Sequence, residues 1–254
     1  MTNPLITISV VSHHQTDLVI QMLKSLEKHF GDEDFEIILT ENLSTSQAIS
    51  PEDFPAFKLH TIVNSRPQGF AANHNQAAKF ARGEYFCLLN PDVVFVEDIY
   101  PSLIKDLEDD WGEIVAPLVL NSTGEIQDSF RDLPSPLDIL RRRLKTWHPP
   151  EIPLEEDKIY PDWIAAICLI MRHETYQYLG GLDEKFYLYF EDVDFGCRAR
   201  LMGKRLLVDT GCRIVHDAKR ESHRTPHYFL QHLRAAFRFY TSEVYHKAKG
   251  LKIK

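Results

Sequence analysis

Glycine is scarce in this chain, and none of it builds the loops that grip a triphosphate or a dinucleotide. Only 11 of the 254 residues are glycine. None opens a Gly-Lys-Ser/Thr run or a Gly-x-Gly-x-x-Gly fingerprint. Nor is there a Gly-x-Ser-x-Gly elbow or a His-Glu-x-x-His helix. Cysteine is scarcer still. Cys87, Cys168, Cys197 and Cys212 form no Cys-x-x-Cys pair and stand among apolar, strand-like neighbours. That excludes a disulfide scaffold or zinc site and marks them as buried free thiols of a reducing compartment. Long apolar runs are missing: the longest, Trp163–Met171, falls well short of the ~20 residues of a bilayer span. Leu5–Val11 lacks the basic flank and cleavage site of a signal peptide. The expectation is a cytoplasmic protein, soluble or lying at the inner face of the cell membrane. Positive charge is short as well. Lys and Arg number 29 against 37 acids, a net charge of −8, which argues against a general nucleic-acid binder.

What is present is an ordinary folded composition, 44% hydrophobic and 26% charged, long enough to bury a core without staples. The charge is uneven. Residues 213–254 carry ten Lys and Arg against three acids, a net +7, leaving −15 on the rest. An acidic body with a basic tail points to a tail that meets something anionic.

The first hundred residues read β-α-β-β-α-β. Strands are expected at Leu5–Val11, Phe35–Thr40, Leu59–Val63 and Glu84–Leu89, with helices over 18–30 and 69–81. Near-continuous apolar strands alternating with helices imply a parallel sheet covered on both faces. Ligands of such sheets bind beyond the carboxyl ends of the strands, where Ser12–Asp17, Glu41–Ser46 and Asn90–Asp92 fall. Further on, strands are expected at Ile114–Leu120, Trp163–Met171, Arg205–Val208 and Arg213–Val215. Helices are expected from Phe195 to Met202 and from Tyr228 to Tyr245, the last with one basic face. The proline-rich stretch 128–162, with the basic cluster Arg141–Lys145 and Trp147, reads as an excursion.

Four constellations carry chemistry. Asn90-Pro91-Asp92 follows an apolar strand. It is either a turn or a carboxylate placed to hold a hard cation beside a diphosphate. Glu191-Asp192-x-Asp194 follows five apolar or aromatic residues. Acids there need pairing, a metal or a raised pKa, the setting of a general base. One of them is also expected to cap the helix near Phe195. His216, after a strand, is a metal ligand or a satisfied core group. In Gln68–Asn75, a glycine entering a helix leaves N–H groups that favour an anion.

In this order and spacing the blocks resemble an inverting glycosyltransferase of family 2, in its rhamnosyltransferase-like branch. They are Ile8–Val11 with its loop; Asn64, Gly69, Phe70 and Asn75; Leu88–Asp92; and Trp163, the Gly180–Phe186 stretch, Glu191-Asp192-x-Asp194 and His216. The resemblance implies a GT-A fold: α/β, with a Rossmann-like, mostly parallel central sheet and helices on both faces. It implies a catalytic domain over 1–225, divided into a nucleotide-binding half (1–100) and an acceptor half (101–225), with a basic amphipathic helix over 226–254. It places Ser12, His13, Glu41, Asn42, Asn64, Gly69, Phe70, Asn75 and Asn90 around the nucleotide. Asp92 and His216 would hold Mg2+ or Mn2+. Asp192 would be the general base, with Glu191 beside it, and Trp163 and Asp183 would border the acceptor. The family usually has Asp where Glu41 stands, and an acid where Asn90 stands. The donor would be dTDP-rhamnose or a UDP-sugar. The acceptor would be a glycan or lipid-linked saccharide of a surface polysaccharide, with the tail on an anionic membrane. Two other readings share parts of the pattern: a non-catalytic nucleotide-binding relative, and a sugar-nucleotide nucleotidyltransferase. The second would want a glycine-rich basic loop near the N-terminus.

Overall fold

A computed structural model describes residues 3–30, 34–43, 49–138, 156–217 and 226–251. The basic cluster Arg141–Lys145, Trp147 and the tail residues Lys219, Arg220, Arg224, Lys252 and Lys254 lie outside them. In chain order the elements begin β1 (Ile6–Ser12), α1 (Thr16–His29), β2 (Phe35–Glu41), β3 (Lys58–Val63), α2 (Phe70–Ala78) and β4 (Tyr85–Leu89). Next come β5 (Val93–Phe95), α3 (Tyr100–Glu108), β6 (Ile114–Leu120), β7 (Phe130–Arg131), β8 (Lys158–Ile159), β9 (Trp163–Ile164) and β10 (Cys168–Arg172). The chain closes with α4 (His173–Tyr178), α5 (Glu191–Leu201), β11 (Leu206–His216), α6 (Pro226–Tyr240) and α7 (Glu243–Ala248).

The main sheet runs β3-β2-β1-β4-β10-β6-β11-β5, with β8 on β11. Strands β1 to β4 pair in parallel, as do β6 and β11; β10 and β5 are antiparallel insertions. The mostly parallel sheet is therefore as expected. Alternation along β1 shows how it is covered. Ile6, Ile8 and Val10 join α1 and α3 in one apolar cluster, while Thr7 and Ser9 face the other way and are fully buried. Thr7 donates to Glu36 at 2.6 Å, and Ser9 pairs with His74 of α2 at 2.8 Å. The second face packs α2, α4 and α5 over Phe86, Leu88 and Leu169. A third cluster joins the outer side of α5 to α6 and α7 through Phe190, Cys197, Ala236 and Phe239. All four cysteines are buried free thiols.

Several local expectations change. Trp163–Met171 is not one strand: β9 pairs with β7 in a small separate sheet, and the chain turns at 165–167 before β10 enters the main one. Apolar continuity cannot show such a break. The two short strands after Arg205 are a single strand. Asp209 lies opposite Pro117 and Arg213 opposite Leu118, so Thr210, Gly211 and Cys212 form a bulge. The terminal helix is two helices. Ser242 caps the second, its hydroxyl accepting from the Tyr245 amide at 3.1 Å. Helix α5 begins at Glu191 rather than near Phe195, and no side chain caps it. The acid run is thus the first turn of the helix, where carboxylates meet the positive end of its dipole.

Candidate active site

The carboxyl ends of β1, β2, β4 and β11 lie on one edge of the sheet, and the residues singled out in the sequence gather there. At the first corner Ser12 pairs in register with Glu41. Both are buried, yet the Ser12 hydroxyl and both Glu41 carboxylate oxygens lack hydrogen-bond partners. Burial raises the Glu41 carboxyl above its usual range. Buried polar atoms without partners are rare and call for an explanation. Here they present acceptors to a ligand that brings N–H or O–H groups. His13 is exposed, and its ring lies 3.4 Å from the Asn42 amide.

Behind this corner the asparagines brace one another. Asn64 donates to Asn42 at 3.0 Å and to Asn73 at 2.7 Å. Asn42 exchanges bonds with the Gln68 backbone at 2.8 and 2.9 Å. The mesh fixes the loop into α2. The Phe70 amide is not free for an anion. It donates to the Tyr187 carbonyl at 2.9 Å, and a Cβ on Gly69 would stand 2.7 Å from that same oxygen. Asn75 also points away from the first corner. It accepts from Tyr176 (2.6 Å) and the Leu182 amide (3.0 Å), and donates to the Leu182 carbonyl (2.8 Å) and Glu184 (3.0 Å). This side chain secures the Gly180-Gly181 turn, where Gly181 has φ +68° and the Asn75 carbonyl oxygen leaves no room for a Cβ.

The second corner follows β4. The Asn90 amide donates to the Ile167 carbonyl at 2.8 Å, joining the Asn90-Pro91-Asp92 turn to the 165–167 turn. Asp92 lies 3.2 Å from His216 Nε2. His216 Nδ1 meets Gln127 Oε1 at 3.0 Å, while the same Gln127 amide donates to the His216 carbonyl. Gln127 thus orients the ring, with Nε2 toward the carboxylate. Among the described residues no group of three or more His, Cys, Asp or Glu converges on a point. Asp92 and His216 would supply two donors to a divalent cation, which would take the rest from a ligand and water. Gln127 belongs to no motif, and nothing in the sequence pointed to it.

The third corner is the start of α5. Tyr189 and Phe190 both take left-handed backbone angles, φ 72° and 69°, costing on the order of 1–3 kcal/mol each. The strained pair turns the chain straight into Glu191-Asp192. Burial pushes the Asp192 carboxyl up to about 6, against hydrogen bonds from the Val193 and Ala166 amides. Glu191 is buried more deeply, with one carboxylate oxygen unpartnered. Burial, and then the neighbouring Asp192, drives its carboxyl well above the usual range. Burial thus holds both carboxyls of this adjacent pair above their ordinary range. Asp194 is occupied elsewhere, bonding Arg198 at 2.7 Å, whose guanidinium donates to the Leu179 and Gly181 carbonyls. The Trp163 ring is buried in the third cluster beneath the Arg131 guanidinium, 5.1 Å from its centroid. Its indole N–H is unpartnered. Asp183 accepts from the Lys185 amide at 3.0 Å and borders a crevice against α6.

A mostly parallel sheet with its polar and acidic residues gathered at one edge is the GT-A architecture of glycosyltransferases. The family model for glycosyl transferase family 2 matches residues 7–163, and the chain belongs to that family. It is similar to the rhamnosyltransferase WbbL of Escherichia coli, 24% identical over 92% of each chain. It is 26% identical to the O-antigen biosynthesis protein RfbC of Myxococcus xanthus over 84% of this chain, but spans only 17% of that protein. It is 24% identical to the N-acetylglucosaminyl-diphospho-decaprenol L-rhamnosyltransferase of Mycobacterium tuberculosis, over 56% of this chain and 50% of that one. These relatives agree with the rhamnosyltransferase-like branch expected from sequence. Among solved structures, GalNAc-T7 with UDP, GalNAc and Mn2+ superposes with TM-score 0.65 at 15% identity, covering 84% of this chain and 43% of that one. The mannosyltransferase PcManGT of Pyrobaculum calidifontis, with GDP-Man and Mn2+, gives 0.60 at 17% identity over 94% and 65%. Both share the fold.

Proposed function

We propose that the protein transfers a sugar, with inversion, from a pyrimidine nucleoside-diphosphate donor to a hydroxyl of a glycan or lipid-linked saccharide. dTDP-rhamnose and UDP-sugars are the donors that fit. The observation that carries this reading is Asp192: a carboxylate at a strained helix start, raised by burial to about 6, beside the buried Glu191. A base near that value is charged at neutral pH and still basic enough to take a proton. Its oxygen receives the acceptor hydroxyl's proton as that hydroxyl's oxygen bonds to the anomeric carbon. The bond from that carbon to the β-phosphate oxygen breaks, and the nucleoside diphosphate leaves from the opposite face.

The other corners fit the donor. Glu41 and Ser12 present unpartnered acceptors suited to the imide N–H of uracil or thymine and to a ribose hydroxyl. Asp92 and His216 would hold Mg2+ or Mn2+, which supplies positive charge to the leaving diphosphate. The names of WbbL and the mycobacterial relative favour a rhamnosyl donor, and the latter a lipid-diphosphate acceptor. The test is release of nucleoside diphosphate from dTDP-rhamnose and a UDP-sugar panel, with Mn2+ and a lipid-diphosphate saccharide. Acceptor-dependent release that falls about a hundredfold or more in Asp192→Asn supports the reading. Nucleotide binding without release at any acceptor would favour a non-catalytic protein.

A further inference from the structure

Helix α6 has two apolar faces. Ala235, Ala236 and Phe239 turn inward onto α5 and α7. On the far side Leu230, Leu233 and Phe237, spaced i, i+3 and i+7, form a second stripe, 47%, 45% and 73% exposed. Arg234 and Arg238 run alongside that stripe, and residues 226–240 contain no acid. The foot of the helix opens on a crevice of about 1030 Å3, where Lys185, Arg234 and Arg238 stand with half-exposed Tyr187. Two acids share its wall: Asp194, already paired with Arg198, and Asp183. No helix among the described residues is long and apolar enough to cross a membrane.

We infer that the outer face of α6 is a docking surface for an anionic lipid bilayer, with Leu230, Leu233 and Phe237 among the acyl chains and Arg234 and Arg238 at the headgroups. An outward apolar stripe bordered by arginines on an acid-free helix is the charge and hydrophobic pattern of an interfacial helix. The rest of the surface explains why the patch is local: residues 1–212 carry −15 and are repelled by anionic lipid. The sequence-based expectation already set the basic tail on an anionic membrane; what the fold adds is the exposed apolar stripe on the outer face of α6. The inference stands apart from the catalytic assignments, since it uses none of their residues.

The test is flotation of the full chain with vesicles of phosphatidylcholine alone or enriched in phosphatidylglycerol, beside light scattering in the absence of lipid. The expected result is binding to anionic vesicles that weakens with salt. Arg234→Gln with Arg238→Gln should cost about tenfold or more. Leu233→Ser with Phe237→Ser should cost at least about tenfold, with the melting temperature held, because these side chains are already in water. No binding to either vesicle overturns the inference, as does equal binding to both. A lipid-free dimer that Phe237→Ser dissolves also overturns it, by assigning the stripe to a second copy of the chain.

Discussion

The amide of Phe70 donates to the carbonyl of Tyr187 across 2.9 Å, and this bond ties the start of α2 to the segment leading into α5. Phe70 opens the helix behind the nucleotide corner. Tyr187 lies four residues before Glu191, which begins α5. The approach is close enough that only glycine fits at position 69.

Gly69→Ala should therefore reach the base from a distance. Its Cβ would meet the Tyr187 carbonyl at 2.7 Å, and relieving that clash moves the segment leading to Asp192. The expected cost is about 1–3 kcal/mol of stability, with a tenfold or greater fall in kcat, because roughly an ångström of misplacement is costly to chemistry. Thermal melts and donor turnover check it; unchanged kcat would show that the two segments are not coupled here.

Asp192→Asn should lose turnover and gain stability. The buried carboxyl sits at about 6, above its ordinary 3.8, so the native state binds this proton more tightly than the unfolded chain. Stability conferred by the protonated group is lost as pH rises through that window, and the whole penalty is present above about 6. Asparagine carries no such penalty. The variant should be more stable than the parent at neutral pH, by on the order of 3 kcal/mol, and melt higher, with the advantage shrinking toward pH 4. In the parent, kcat/KM should rise with pH through about 6 and then level off. A flat profile would remove Asp192 from the role of base.

Glu41→Gln should separate binding from folding. The substitution removes an unpartnered buried carboxylate, so the fold should hold or gain. It also weakens a charge-assisted acceptor to a neutral one, so UDP affinity should fall about tenfold by calorimetry. An unchanged affinity would place the base elsewhere.

Gln127→Ala should act through His216. Without the glutamine the imidazole is free to turn and to shift its proton. The Mn2+-dependent part of the thermal shift given by UDP should then fall, with apparent metal affinity down about tenfold to a hundredfold. Metal-free UDP binding should change little. Chelation with EDTA should abolish the same component in the parent.

The sheet was legible because its strands announce themselves. Phe35–Glu41 and Tyr85–Leu89 are buried from end to end, and Ile6–Ser12 at every position but Val11; burial on both faces writes near-continuous apolar runs. The three corners were legible because polar residues stand where those runs stop. What could not be read is what depends on partners distant in sequence. Gln127 and His216 are 89 positions apart. Asn75 stands in a motif that the sequence shows, but its four bonds go to residues 101 to 109 positions away, which only the fold can bring near. The break at 165–167 was hidden because turn and strand are both apolar there.

The bulge at Thr210–Cys212 inverts the sidedness of β11. Before it, Leu206 and Val208 lie on the face of α2 and α5. After it, Ile214 lies on the face of α1 and α3, although all three positions are even-numbered. An uninterrupted strand would keep them on one side. His216 follows Ile214 in that second phase. The odd number of residues looped out thus works as a parity switch, determining on which side of the sheet the imidazole emerges. Shortening the loop by one residue would turn His216 away from Asp92 without altering a single side chain of the site.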